Sequence, residues 1–365
     1  MQFQEFLKHQ LGTATSSQWR SFNTKKLFAS KELCTVSVCK NHVAPVTCLS
    51  LEKQEFRYLL SGSAKGHIVI HDRSLLAGSN GFSTIADISW KRTGEKCIQR
   101  LQWYPLDTGM FFMQTENEIK VWDANQLQVA EQFHFTSKLS DMHGKEIGRN
   151  PLIAASSLDK SIFICDLATG SRTHTLTGHD SPVTAVKWSP RKEHVLYSGS
   201  TNGKINIWDV RKTKNLLKSL QTTESKKNGV DSISFTPNGF GLISLNSDGT
   251  LSLWKCHNGK QAKVNYAASS ANNDRAGSTC VSNNNQVVFA SNDRNVQAYD
   301  IYTGEHMKTF NGHFKAVTGV CYNDPFEELI TCGLDSKVLI WDNRNYDKVR
   351  LQNEYHQDDW DAVDD

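Results

Sequence analysis

Proline is scarce, 7 residues in 365 against 23 glycines, which excludes a polyproline or collagen-like chain. No apolar run approaches the ~18 residues that a membrane-crossing helix needs. The opening residues 1–11 carry Glu5 and are too polar for a secretory signal. The expectation is therefore a soluble protein that is not exported and makes no membrane contact. No two cysteines are spaced C-x-x-C, and their number is odd: Cys34, Cys39, Cys48, Cys97, Cys165, Cys256, Cys280, Cys321 and Cys332. Such residues read as reduced, mostly buried thiols of an intracellular protein, without structural zinc. A P-loop, a G-x-G-x-x-G turn, an H-E-x-x-H helix and a nucleophile elbow are all missing. Nothing specifies an enzyme, and no cofactor or catalytic residue is expected.

What is present is an ordinary globular composition, 38% hydrophobic and 22% charged, enough to bury a core and to exclude wholesale disorder. The net charge of +3 conceals an uneven distribution. Residues 354–365 hold Glu354, Asp358, Asp359, Asp361, Asp364 and Asp365 with no Lys or Arg. Setting those six acids aside leaves 32 against 41 cations, a formal +9 on residues 1–353. A mildly basic body fits proximity to nucleic acid or simply a solvated surface. There is no aromatic-plus-basic stripe of the kind that base stacking needs, so little or no direct nucleic-acid binding is expected.

The chain is organised by a repeat. Its clearest unit runs Gly178-His179, then Val183, Val186 and Trp188, then Tyr197-Ser198-Gly199-Ser200, and ends Ile205-Asn206-Ile207-Trp208-Asp209. It returns as Gly312-His313, Val317, Val320, Tyr322 and Gly333-Leu334-Asp335, ending Val338-Leu339-Ile340-Trp341-Asp342. Weaker copies place the final position at 72, 123, 166, 209, 255, 300 and 342, spacings of 42 to 51 residues. That is close to the ~40–45 period of propeller blades. Within each unit, short runs such as Val183-Thr184-Ala185-Val186-Lys187-Trp188 alternate apolar and polar residues and are broken by Asn-Gly or Asp-Gly turns. This is the pattern of half-buried antiparallel strands. The expectation is an all-β fold of seven blades, each burying its faces against its neighbours.

These units resemble WD repeats. The likeness implies a structural tetrad at His313, Thr331, Asp335 and Trp341 in the last blade. In the fourth it implies His179, Ser198, Asn202 and Trp208, with Asn for the usual Asp. Asp159, Asp248 and Asp293 keep the turn acid elsewhere, while Lys65 and Glu116 replace it in the first two blades. A buried His–Asp pair beside a hydroxyl invites a hydrolase reading, but a set that recurs blade after blade ties strands together rather than forming one active site.

The ends differ from the repeat. Residues 33–40 alternate like a strand and precede the first full unit, so they are expected to pair with the seventh blade and close the ring. The domain organisation is then a helical segment at 1–32, a propeller at 33–346 and an acidic, disordered tail at 347–365. The long spacing before Asp123 leaves room for a surface insertion around residues 75–96. Phe3, Phe6, Leu7 and Leu11 form a stripe on one helical face, and Gly12 suits its stop. That helix either packs on its own propeller or docks into a partner's groove. Trp360 in the acidic tail is either a short binding motif or inert.

Trp208-Asp209-Val210-Arg211 and Trp341-Asp342-Asn343-Arg344 both read W-D-x-R. An Arg just past this strand offers a fork of donors on one rim, or bonds within its blade. The motif resembles the signature of WD-repeat substrate receptors of cullin-RING ubiquitin ligases. A closer likeness takes in Phe6-Leu7, residues 101–111, Lys120-Val121-Trp122-Asp123, Ile207 to Arg211, Gly312-His313-Phe314-Lys315 and the acidic, Trp-bearing tail. On these residues the chain resembles the family of the Cockayne syndrome WD-repeat protein A. The resemblance implies a non-catalytic nuclear receptor that brings a ligase to stalled RNA polymerase II in transcription-coupled nucleotide excision repair, with the Cockayne syndrome B translocase as a further partner. Phe3, Phe6, Leu7 and Leu11 would enter the damaged-DNA-binding adaptor, with Arg211 and, less closely matched, Arg344 in support. Asp180, Phe314 and Lys315 would lie on the opposite, client face. The other reading is a WD-repeat scaffold of a chromatin or RNA-processing complex.

Overall fold

The structure is a computed structural model that describes residues 42–73, 83–212, 215–221, 228–266, 277–282 and 286–342, together with the backbone of Glu32–Cys34. These residues form seven four-stranded antiparallel sheets, a seven-bladed β-propeller with one short helix, Trp90–Thr93. Blade four is representative, with strands Val183–Trp188, Val195–Ser200, Lys204–Asp209 and Leu216–Gln221 from the axis outward. In its first strand Val183, Ala185, Val186 and Trp188 are buried while Thr184 and Lys187 are only partly so. The innermost strand of each blade lies against those of both neighbours, and the circuit returns from blade seven to blade one. The core accordingly lies between blades. Leu60, Ile68 and Ile70 of blade one pack with Leu101, Phe111 and Trp122 of blade two.

Blade seven is composite. Its strands Val317–Asn323, Glu328–Gly333 and Val338–Asp342 take their fourth member from Glu32–Cys34, which pairs antiparallel with Asp342, Trp341 and Ile340. The rest of the expected strand, 35–40, lies outside the described residues, as do the segment 1–31 and the tail beyond Asp342. The region read as an insertion at 75–96 is partly regular: Ser83–Ile88 is the outer strand of blade one. The additional length is a connection carrying Trp90–Thr93, because two strand-sized runs separated by a polar link are not distinguishable from a loop by spacing alone.

A seam of hydroxyls joins the blades. Thr47, Ser140 and Thr184, near the start of innermost strands, donate to the carbonyls of Ile98, Val183 and Val230 in the next blade. Thr318 donates to Val46 O at 2.7 Å and so links blade seven to blade one. A second inter-blade tie is a buried bidentate ion pair, Arg73 Nε and Nη2 to Glu328 at 2.8 and 2.6 Å. The Arg73 guanidinium also lies 3.7 Å from the Phe326 ring centre.

Candidate functional site

Because consecutive strands are antiparallel, the loop into a blade's first strand and the turn between its second and third strands lie at one end, and its other two turns at the opposite end. The first end carries His179, Asp180, His313, Phe314 and Lys315; the second carries Arg211. The recurring polar residues of the repeat therefore divide between two opposite rims.

At the first rim, blade seven has a closed network. Trp341 Nε1 donates to Thr331 Oγ1 at 3.1 Å, and His313 Nε2 lies 2.9 Å from the same oxygen. The threonine's own hydrogen then goes to Nε2, which leaves the proton on Nδ1, where Asp335 accepts it at 3.0 Å. Asp335 also accepts from the amides of Phe314 and Lys337. Burial works against its charge, but His313 and these amides hold its carboxyl below the usual range. Gly312 leaves room here, since a Cβ would approach Trp341 to 3.0 Å.

Blade four repeats half of this. His179 Nε2 meets Ser198 Oγ at 2.6 Å and Trp208 Nε1 donates to Ser198 at 2.7 Å. Asn202, expected as the fourth member, does not reach the imidazole. Its Oδ1 accepts from Ser200 Oγ at 2.6 Å and from the Lys204 amide, closing the turn instead. His179 Nδ1 is buried without a hydrogen-bond partner. Burial pushes this histidine down to about 4, so it is neutral at physiological pH. Blade two lacks the hydroxyl altogether, with Met113 in its place and Trp122 Nε1 unbonded.

Blade one holds a network that the repeat pattern did not reveal, because it departs from it. Ser61 Oγ bridges His42 Nε2 at 2.9 Å and His71 Nε2 at 3.0 Å, with His71 where the repeat has Trp. His67 contacts both His42 and Asp87. Burial pushes His42 to about 3 and His71 to about 4. No group of three or more His, Cys, Asp or Glu among the described residues is arranged to hold a metal.

The exposed candidates on this rim are differently engaged. Phe314 is 73% exposed, with Lys337 Nζ at 4.8 Å from its ring centre, and Lys315 beside it is exposed. Asp180 is held by Lys204 at 2.5 Å. On the opposite rim, Arg211 folds back on its own blade: Nε and Nη2 meet the two Asp209 oxygens at 3.0 and 2.9 Å. The guanidinium holds the Asp209 carboxyl below the usual range. The Arg211 side chain remains 61% exposed. A partner therefore meets an Asp209–Arg211 pair, not a free guanidinium. The turn between Arg100–Trp103 and Met110–Gln114 lies on this rim too, with Leu106 49% exposed and Tyr104 packed on Phe112. Phe3, Phe6, Leu7, Leu11 and Arg344 lie outside the described residues. The Arg73–Glu328 pair, missed in the sequence, joins positions 255 residues apart that no local pattern links.

Comparison with known proteins agrees with this geometry. The WD domain, G-beta repeat family matches residues 170–209, 217–255 and 304–342. These three stretches read as WD40 repeats within a seven-bladed propeller. It is 25% identical to the WD repeat-containing protein ATCSA-1 of Arabidopsis thaliana, over 88% of this chain and 92% of that one. Other relatives match part of the repeat array. Radiation-sensitive protein 28 of Saccharomyces cerevisiae is 23% identical over 47% of this chain and 39% of its own length. The ribosome biogenesis protein WDR12 homolog of Ixodes scapularis is 26% identical over 56% and 44%. The chain thus spans well under two thirds of these latter two.

Proposed function

We propose that this WD40-repeat protein is the non-catalytic substrate-receptor subunit of a nuclear cullin-RING ubiquitin ligase in transcription-coupled nucleotide excision repair. In this reading it links the damaged-DNA-binding adaptor to stalled RNA polymerase II and to the Cockayne syndrome B translocase. The observation that carries the reading is the end-to-end match to ATCSA-1, against half-length matches to other WD proteins. A repeat alone produces partial matches; alignment across 92% of a relative includes what the repeat does not need. The turn within residues 101–111 is a feature that the repeat does not need, and it shares a rim with the Asp209–Arg211 pair.

Phe3, Phe6, Leu7 and Leu11 are the proposed insertion into the adaptor, with Arg211, on that rim, and Arg344 as supporting contacts. Phe314, Lys315 and Asp180 would face the client. Affinity purification of the full chain beside Phe6→Asp/Leu7→Asp tests this. The double variant is expected to keep its fold, by circular dichroism, and to lose the adaptor and cullin. Equal recovery by both proteins excludes the docking role. Recovery by neither, with ribosome-assembly or chromatin factors in their place, replaces this reading with the scaffold one, which the WDR12-type match favours.

A further inference from the structure

In blades one, four and seven the residue after the rim histidine stands three positions before the innermost strand, at Val43, Asp180 and Phe314. In blade four that position is polar, and Asp180 is engaged by Lys204. In blades seven and one, which are neighbours, it is apolar and uncovered: Phe314 is 73% exposed and Val43 93%. Thr318 Oγ1 donates to Val46 O at 2.7 Å, so the two loops lead into strands bonded to each other. The turns after the second strands are held against these loops, Ala64 N donating to Pro45 O and Leu334 N to Ala316 O, both at 2.9 Å. They bring in Lys65, where the repeat has its acid, and Lys337, whose Nζ lies 4.8 Å from the Phe314 ring centre. Lys315 is exposed beside Phe314.

Elsewhere on this rim the cations are paired, Lys138 with Glu116, Lys204 with Asp180 and Arg294 with Asp293. Lys65, Lys315 and Lys337 have no carboxylate partner among the described residues. Asp335, in the same turn as Lys337, is buried and bonded to His313. The loops 42–45, 64–67, 312–316 and 334–337, with the link 87–99, hold Lys65, Lys91, Arg92, Lys96, Lys315 and Lys337 against Asp87, Glu95 and Asp335. Giving Lys96 to Glu118, which it meets at 2.6 Å, still leaves five cations against three acids. The opposite rim differs, because its exposed aromatic residues are engaged: Arg191 lies 3.9 Å from the Phe240 ring centre, and Asn238 Nδ2 donates to Tyr302 at 3.1 Å.

The chain holds one segment of complementary character. Residues 354–365 carry six acids, no Lys or Arg, and the apolar side chains of Trp360 and Val363. Strand Val338–Asp342 runs from this rim to the opposite one, so the chain has to return the height of one blade, roughly 20 Å for a six-residue strand. Trp360 lies 18 residues beyond Asp342, and a coil of that length spans roughly 20–25 Å on average.

We propose that the acidic segment 354–365 of this chain docks on the rim of blades seven and one, Trp360 covering Phe314 and Val43 and the carboxylates meeting Lys65, Lys315 and Lys337. The contact occupies the rim assigned above to the client, so segment and client compete for it. The docking rests on this surface alone and stands or falls independently of the receptor reading. Full-length protein with the photoreactive substitution Phe314→p-benzoylphenylalanine is irradiated, digested and read by mass spectrometry. Cross-links to residues 354–365 are expected, at a yield that does not change with protein concentration. The yield is expected to fall about fivefold or more in Lys65→Glu/Lys315→Glu/Lys337→Glu, whose fold is checked by circular dichroism. Tyr302→p-benzoylphenylalanine, on the opposite rim, is expected to give none. Amine acetylation supplies a second reading: Lys65 and Lys315 are expected to react faster once the six acids of the segment are replaced by their amides. An absence of cross-links from position 314 with unchanged acetylation, or equal cross-linking from position 302, overturns the proposal. So does a yield that rises with concentration, which assigns the contact to a second copy of the chain.

Discussion

Blades four and seven share nearly the same sequence pattern, yet they are bonded differently. Blade four is continuous in the chain and its four strands follow one another. It tolerates an imidazole nitrogen without a partner. Blade seven is assembled from both ends of the propeller sequence, and it carries the complete His313–Thr331–Asp335–Trp341 network. It also carries two ties to blade one, the Thr318 hydroxyl and Glu328. Blade four is tied across blades as well, Thr184 donating to Val230 O and the amides of Val186 and Trp188 to Asp141 and His143, so the contrast lies in what the ties close and not in their number. The blade that closes the ring brings together segments hundreds of residues apart, and the loop entropy of doing so is offset by specific bonds.

If closure is the reason, the largest effect is expected at the closing ion pair. Glu328→Ala leaves Arg73 buried and unpaired and is expected to cost about 3–5 kcal/mol, read as a lowered urea midpoint. A cost below about 1 kcal/mol would show that the pair is dispensable to closure. His313→Ala is expected to cost about 1–3 kcal/mol, and more than His179→Ala under the same conditions. Equal losses in the two blades would erase the distinction drawn between them.

The pH response sharpens the same contrast. His179 is neutral in the fold, at about 4, against an ordinary value of 6.5. A folded value below the unfolded one means that the unfolded chain takes up the proton first. Stability is then present in full above pH 6.5 and is lost as the pH falls towards about 4. At pH 5 the contribution of this one residue is roughly 1–2 kcal/mol. His42, His71 and His143, lowered in the same direction, add to the trend. A melting midpoint unchanged between pH 7 and pH 5 would contradict it. The smallest effect is a gain. Asn202→Asp supplies blade four with the acid that blade seven has, and is expected to add about 0.5–1.5 kcal/mol. It should also raise the His179 value, measurable by NMR titration. A loss instead would mean that Asn202 matters more to the turn, through Ser200 and Lys204, than an acid would to the imidazole.

Much of the fold was legible in the residues because the repeat states it several times. Trp208 and Trp341, the Gly-His pairs and the alternation of Val183 to Trp188 are local signals, and each copy reinforces the others. The candidate site was legible in parts. The blade-seven network follows the repeat, whereas Asn202 occupies the expected place and bonds elsewhere. The two side chains have the same reach and differ in what they accept: Asn202 Oδ1 takes the Ser200 hydroxyl and the Lys204 amide, whereas Asp335 takes the Lys337 amide and the His313 imidazole. The W-D-x-R motif shows that Arg211 sits on a rim but not that its fork closes on Asp209.

The sequence by itself determined the period, the number of blades and the strand alternation, since these depend on contacts within ~45 residues and on the need of each blade to bury both faces. The tertiary structure alone decided what meets across blades: Arg73 with Glu328, and the hydroxyl seam from Thr47 to Thr318. Those contacts arise from the closing of the ring, which sets residues side by side without regard to their separation along the chain, so no local pattern encodes them.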